Sequence, residues 1–177
     1  MERRVVLKLL AAGFASPAAF AQQAEADAYQ PAFFTADEMR LLDRLTEILI
    51  PADEHSAGAS AARVNRFIDV VVSEDSAAVQ DLWRSGLTAV NLEADERFRK
   101  SFLALDEAQQ EAVVAAMAAN EDKPETLLER FFTPLKGLTI DGYYTSQIGI
   151  HDDLRYEGNT ALAEFPGCNH PAHGPGA

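Results

Sequence analysis

One cysteine, Cys168, stands in 177 residues. A single thiol excludes an internal disulfide framework, the Cys-x-x-Cys-His of haem attachment and the four thiolates of an iron–sulfur cluster. Positive charge is also short. Lys and Arg number 15 against 28 Asp and Glu, giving a formal net charge of -13. Phosphate binding needs clustered cations, so neither nucleic acid nor an anionic membrane surface is expected as a direct partner. There is no glycine-rich dinucleotide fingerprint, no P-loop and no Gly-x-Ser-x-Gly elbow. The chain therefore carries no cofactor motif and no catalytic set of its own, and any flavin, haem or cluster belongs in a different chain. Alternating strand patterns are missing too.

What is present begins with an address. Arg3, Arg4 and Lys8 form a positive start, Val5 to Phe14 an apolar run, and Ser16-Pro17 a break. Ala19-Phe20-Ala21 then supplies a small-x-small cleavage site. This is the layout of a signal peptide over 1–21, and the run is too short to span a bilayer. The adjacent arginines, followed by Val5-Val6-Leu7-Lys8, resemble the twin-arginine export consensus, with Val6 in place of the usual Phe. An ordinary secretory signal is the plainer alternative; the Ala- and Gly-rich, mildly hydrophobic run favours the twin-arginine route. Either way the expected location is the periplasm. Cleavage removes Glu2 with three cations, a net of +2, and leaves the mature chain at -15.

Hydrophobic residues make up 47% and charged residues 24%, enough for a core without staples. Residues 22–34 read as a flexible lead-in. Thr35 and Glu38 form a capping box, and Met39, Leu42, Leu45, Ile48 and Leu49 share one face of the helix it opens, which Pro51 stops. Val64, Phe67, Ile68, Val71 and Val72 mark a second helix, and Val79, Leu82, Trp83, Leu87 and Val90 a third that continues into the charged residues 93–100. Asp106 caps a fourth. Pro124 is well placed at a helix start. Residues 126–144 form one or two helices, interrupted near Pro134 or Gly137. Beyond Thr145 the pattern dissolves. The expected fold is all-α, five or six helices over 35–145, with an irregular C-terminal docking arm over 146–177.

Cys168, His170 and His173 lie close together near the end of this arm, and His151 with Asp152 and Asp153 lies at its start. As zinc or copper ligands, Cys168, His170 and His173 lack a rigid element to hold them. A cysteine nucleophile is disfavoured by acidic surroundings. An odd cysteine in an exported protein suggests a bond to another chain, and a buried free thiol is the plainer reading. These readings stay open on the residues alone. One alternative function follows from them: a small exported metalloprotein or metal-dependent hydrolase using His151, Asp152, Cys168, His170 and His173. His55 reads as a surface histidine. Phe131, Phe132, Tyr143 and Tyr144 read as core before cofactor box.

Two stretches together carry a resemblance. Residues 45–73 run from a helix ending in Ile50-Pro51 through an acidic loop and Gly58-Ala59 to a helix with Phe67-Ile68-Asp69. Residues 138–171 contain Leu138-Thr139, Gly142-Tyr143-Tyr144-Thr145-Ser146 and Tyr156-Glu157-Gly158-Asn159. The chain resembles the small (third or gamma) subunit family of gluconate 2-dehydrogenase and related sugar and polyol dehydrogenases. Arg155 departs from the family's usual Gly before that Tyr. The resemblance implies a subunit without a redox centre, paired with a large FAD-dependent subunit of the glucose–methanol–choline class. Electrons pass on, in many relatives to a cytochrome c subunit bearing haem c. The small subunit supplies the export signal and stabilises the flavoprotein. Tyr143, Tyr144, Tyr156, Asn159 and Phe165 are then the docking candidates, and Cys168 the candidate for an inter-chain disulfide.

Overall fold

Three local caps start three of the helices. The computed structural model describes residues 29–158. The Thr35 hydroxyl accepts the Glu38 N–H at 3.3 Å, and the Glu38 carboxylate accepts the Thr35 N–H at 2.8 Å. This reciprocal pair opens α1, Ala36–Leu49. Ile50 is extended, as the residue before a proline must be. After a long loop, α2 covers Val64–Ser73 and α3 covers Ala77–Phe98. A 3-10 turn, Phe102–Ala104, leads to Asp106, which caps α4, Glu107–Ala118, in a second box with Gln109. Thr126 and Glu129 form a third box at the head of α5, Leu127–Tyr144. A π-helical turn, Ile148–Asp153, follows. Among the described residues there are five α-helices and no strand, so the all-α reading holds.

α5 is the axis of the molecule and packs against all four other α-helices. Its buried side chains include Phe131, Phe132, Leu135, Thr139 and Tyr143. Trp83 of α3 meets Phe131 edge-on at 5.2 Å between centroids, and Phe34 meets Trp83 at 6.0 Å. Burial of this kind, at roughly 25 cal/mol per Å², is the main force holding the helices together.

One expectation is narrowed and one changes. Of the one or two helices expected over 126–144, the structure has one, Leu127–Tyr144, continuous although Pro134 lies inside it. Proline removes a donor there, but Phe131, Phe132 and Leu135 are buried on either side, and that packing holds the helix through the missing bond. Pro124 does not start a helix; the Thr126 cap, two residues on, outcompetes it. The acid in the third box, Glu129, accepts from the N–H groups of Thr126 and Glu125 and from the Asn120 amide. Those bonds hold its carboxyl down at about 2.

Candidate functional site

α2 reads Val-Asn-Arg-Phe-Ile-Asp-Val-Val-Val-Ser, with one acid in an apolar helix. That acid, Asp69, is fully buried on the same side as Val64, Ile68 and Val72. A buried carboxylate needs partners, and Asp69 finds them in the chain that precedes α1. One oxygen accepts the Tyr29 hydroxyl and the Ala32 N–H, both at 2.6 Å. The other accepts the Phe33 and Phe34 N–H groups at 3.0 and 2.8 Å. Burial is the largest single influence on this carboxyl and pushes its pKa up. The four hydrogen bonds outweigh it and hold the pKa below the ordinary value. The same contact, after burial itself, helps push the Tyr29 phenol up to about 12. The end of the lead-in is therefore clipped to the helical body, and Phe34 is delivered into the core beside Trp83. Arg66 caps the clip from outside, 5.0 Å over the Tyr29 ring.

The two signature stretches meet at the other end of α2. The loop between α1 and α2 folds around carboxylates. Asp53 accepts the His55 and Ser56 N–H groups at 2.8 and 2.9 Å. Glu47 accepts the Ser60 N–H at 2.8 Å. Tyr143 then closes the loop from α5. Its hydroxyl donates to the Ala57 carbonyl at 2.8 Å, which leaves its oxygen to accept from the Ser56 hydroxyl at 2.8 Å. One residue earlier, Gly142 lets α5 lie against α2; a Cβ there would stand 2.7 Å from the Phe67 ring. The Gly-Tyr pair is thus a packing point followed by a latch. Tyr143→Phe should lower stability by about 1 kcal/mol, since the Ala57 carbonyl loses a buried donor. Thermal unfolding of the two proteins side by side measures this, and an equal Tm would remove the latch.

The expected site residues separate into three groups. Phe131, Phe132 and Tyr143 are core, Tyr143 with its hydroxyl turned inward to its own loop, whereas Tyr144, expected with them, is not. Tyr144 and Tyr156 lie at the surface. The Tyr144 hydroxyl donates to Asp153, and this bond, ahead of burial, raises its pKa. His55 is exposed beside Glu54, 3.3 Å away. His151 and Asp152 are exposed on the π-helical turn. Among the described residues no group of three or more His, Cys, Asp or Glu is placed to hold a metal ion. Arg3, Arg4, Lys8, Ala19, Ala21, Asn159, Phe165, Cys168, His170 and His173 lie outside the described residues. Among the described residues no helix is long and apolar enough to cross a membrane. In the sequence Asp69 enters only with the resemblance; the signal for its role is an acid on the buried stripe that Val64, Ile68 and Val72 mark.

No curated protein and no solved structure matches this chain. One family does, over residues 36–166, and it is described as gluconate 2-dehydrogenase subunit 3. The match takes in α1 from its first residue, Asp69 itself, the Tyr143 latch and the turn beyond it. It covers well over half of the 177 residues, and the chain belongs to the gluconate 2-dehydrogenase subunit 3 family.

Proposed function

We propose that this chain is the non-catalytic small subunit of a periplasmic dehydrogenase whose FAD is held by a separate large subunit of the glucose–methanol–choline class. Its leader, with Arg3, Arg4 and Lys8, takes both chains through the twin-arginine route and is cut after Ala21. The small subunit then remains bound and stabilises the flavoprotein, which hands its electrons to a haem c subunit in complexes that have one. The observation that carries this reading is family membership over 36–166 in a chain that opens with a twin-arginine-like leader. The geometry supports it. Asp69, Gly142 and Tyr143, the polar and small residues of the signature stretches, hold the fold itself together. In this reading Asn159, Phe165 and Cys168 of the arm meet the partner, with Cys168 forming a disulfide to the large subunit.

The experiment is co-expression of the dehydrogenase subunit with and without this chain. Periplasmic dehydrogenase activity should be lost without it, and lost again when Arg3→Lys and Arg4→Lys are combined. Full exported activity in its absence overturns the reading. A non-reducing gel of the purified complex should show a joined band that Cys168→Ser removes, with substrate oxidation intact and heat resistance lower.

A further inference from the structure

α2 is apolar on more of its circumference than the core uses. Val64, Ile68 and Val72 are buried, yet Phe67 and Val70 remain 36% and 51% exposed. Towards the C-terminal end of α2 a hollow of about 330 Å³ opens between α2, α3 and α5. Val71, Val79, Pro134, Gly137 and Leu138 line it, together with an edge of buried Trp83. Gly137 is informative by contrast with Gly142. Among the described residues no atom lies within 4 Å of where its Cβ would stand. Glycine in a helix interior costs about 1 kcal/mol relative to Ala, and nothing among the described residues requires it at 137. Its effect is to keep one wall of the hollow low, which suits the close approach of another backbone. The charged residues of the lining are Asp75 and Asp141, with no cation among them.

We infer that this hollow is a docking site for the dehydrogenase subunit, which enters it with an apolar ridge flanked by Lys or Arg. The inference rests on the reading of the chain as a small subunit. Charge chooses the occupant. A second mature copy would bring its own Asp75 and Asp141 and a further formal charge of -15 (-13 less the leader's +2), and the two surfaces would repel. A basic-flanked ridge pairs with both carboxylates while covering the valines and the tryptophan edge.

The test uses the full chain co-purified with its dehydrogenase subunit, with affinity measured for wild type, for Val70→Arg combined with Gly137→Arg, and for Asp141→Lys. Both arginine positions are open, so the melting temperature of the isolated small subunit should stay close to wild type. The double variant should weaken binding by about tenfold or more, because it buries unpaired charge against an apolar ridge. Asp141→Lys should weaken it less and flatten its dependence on salt. Wild-type affinity in the double variant overturns the hollow as the site while leaving the small-subunit reading intact. A wild-type chain that dimerises alone, and that the double variant returns to monomer, overturns the choice of occupant. A wild-type chain that does not bind the dehydrogenase at all overturns both.

Discussion

Asp69→Ala should lower the free energy of unfolding by about 2–4 kcal/mol, because it leaves the buried Phe34 N–H, the half-buried Ala32 and Phe33 N–H groups and the Tyr29 hydroxyl without their acceptor. A domain of this kind holds about 5–15 kcal/mol in all, so the loss is a large fraction of its stability. Denaturant unfolding measures it directly. Asp69→Asn should fall between, since its amide keeps one acceptor for Phe33 and Phe34 but sets a donor against the Ala32 N–H. A loss below about 1 kcal/mol for the alanine variant, the size of one ordinary hydrogen bond, would mean the clip is not structural.

The same contact sets the pH dependence at both ends. The native Asp69 carboxyl has a lowered pKa, so its contribution is present above the ordinary aspartate value and lost as pH falls through the native one. The stability gap between wild type and Asp69→Asn should therefore close in acid. Glu129 acts in the same direction, its contribution disappearing between its ordinary 4.5 and about 2. Tyr29 works the other way. Its phenol is raised from 10.0 to about 12, so the neutral form is favoured in the native state. That contribution is complete below pH 10.0 and is lost as pH rises towards about 12. In Asp69→Asn, ultraviolet titration should find Tyr29 ionising at lower pH than in wild type.

Gly86→Ala should be the second severe change. A Cβ at 86 would stand 2.2 Å from Cγ of Phe131 and 2.3 Å from Cδ2, at the root of a ring that is fully buried. The root cannot swing aside as a side-chain tip can, and Trp83 stands edge-on to the same ring. Alanine gains about 1 kcal/mol of helix propensity over glycine. Overpacking a full core costs about 1–3 kcal/mol, more in tight sites. The net expectation is a loss of about 2 kcal/mol and a fall in Tm of roughly 5 °C, with a changed near-ultraviolet signal from Trp83. Gly137→Ala is the paired control on α5: with open space around it, that variant should be more stable than wild type. Partial recovery on adding Phe131→Leu to Gly86→Ala would locate the strain in the ring contact. Unchanged stability in Gly86→Ala would show that α3 and α5 part at a cost of only about 1 kcal/mol, matched by the gain in helix propensity.

Much of the helical framework was legible in the order of residues. Thr35 with Glu38, and Asp106, announce helix starts because a cap and its target lie three residues apart, and nothing distant is needed to satisfy them; the Thr126 cap obeys the same rule but was hidden behind Pro124. The stripe through Met39, Leu42 and Leu45 named its buried face for the same reason. Pro134 misled because a local rule was overridden from outside: the helix it should break is buried on most sides. The Tyr143 latch was not legible, since its partners, Ser56 and Ala57, lie 87 and 86 residues away.

The sequence by itself determined the fold class, the helix starts, the family and the expectation of export, each of which rests on neighbours within a few residues or on a pattern along the chain. Only the tertiary structure decided what the signature residues do. Asp69 takes its meaning from backbone N–H groups 35 to 37 residues earlier, and Gly86 and Gly142 from rings on other helices. A carboxylate or a missing side chain states no partner in a sequence. The helices that arrive beside it supply one, and here they turn a lone acid into a clip and a glycine into a contact between helices.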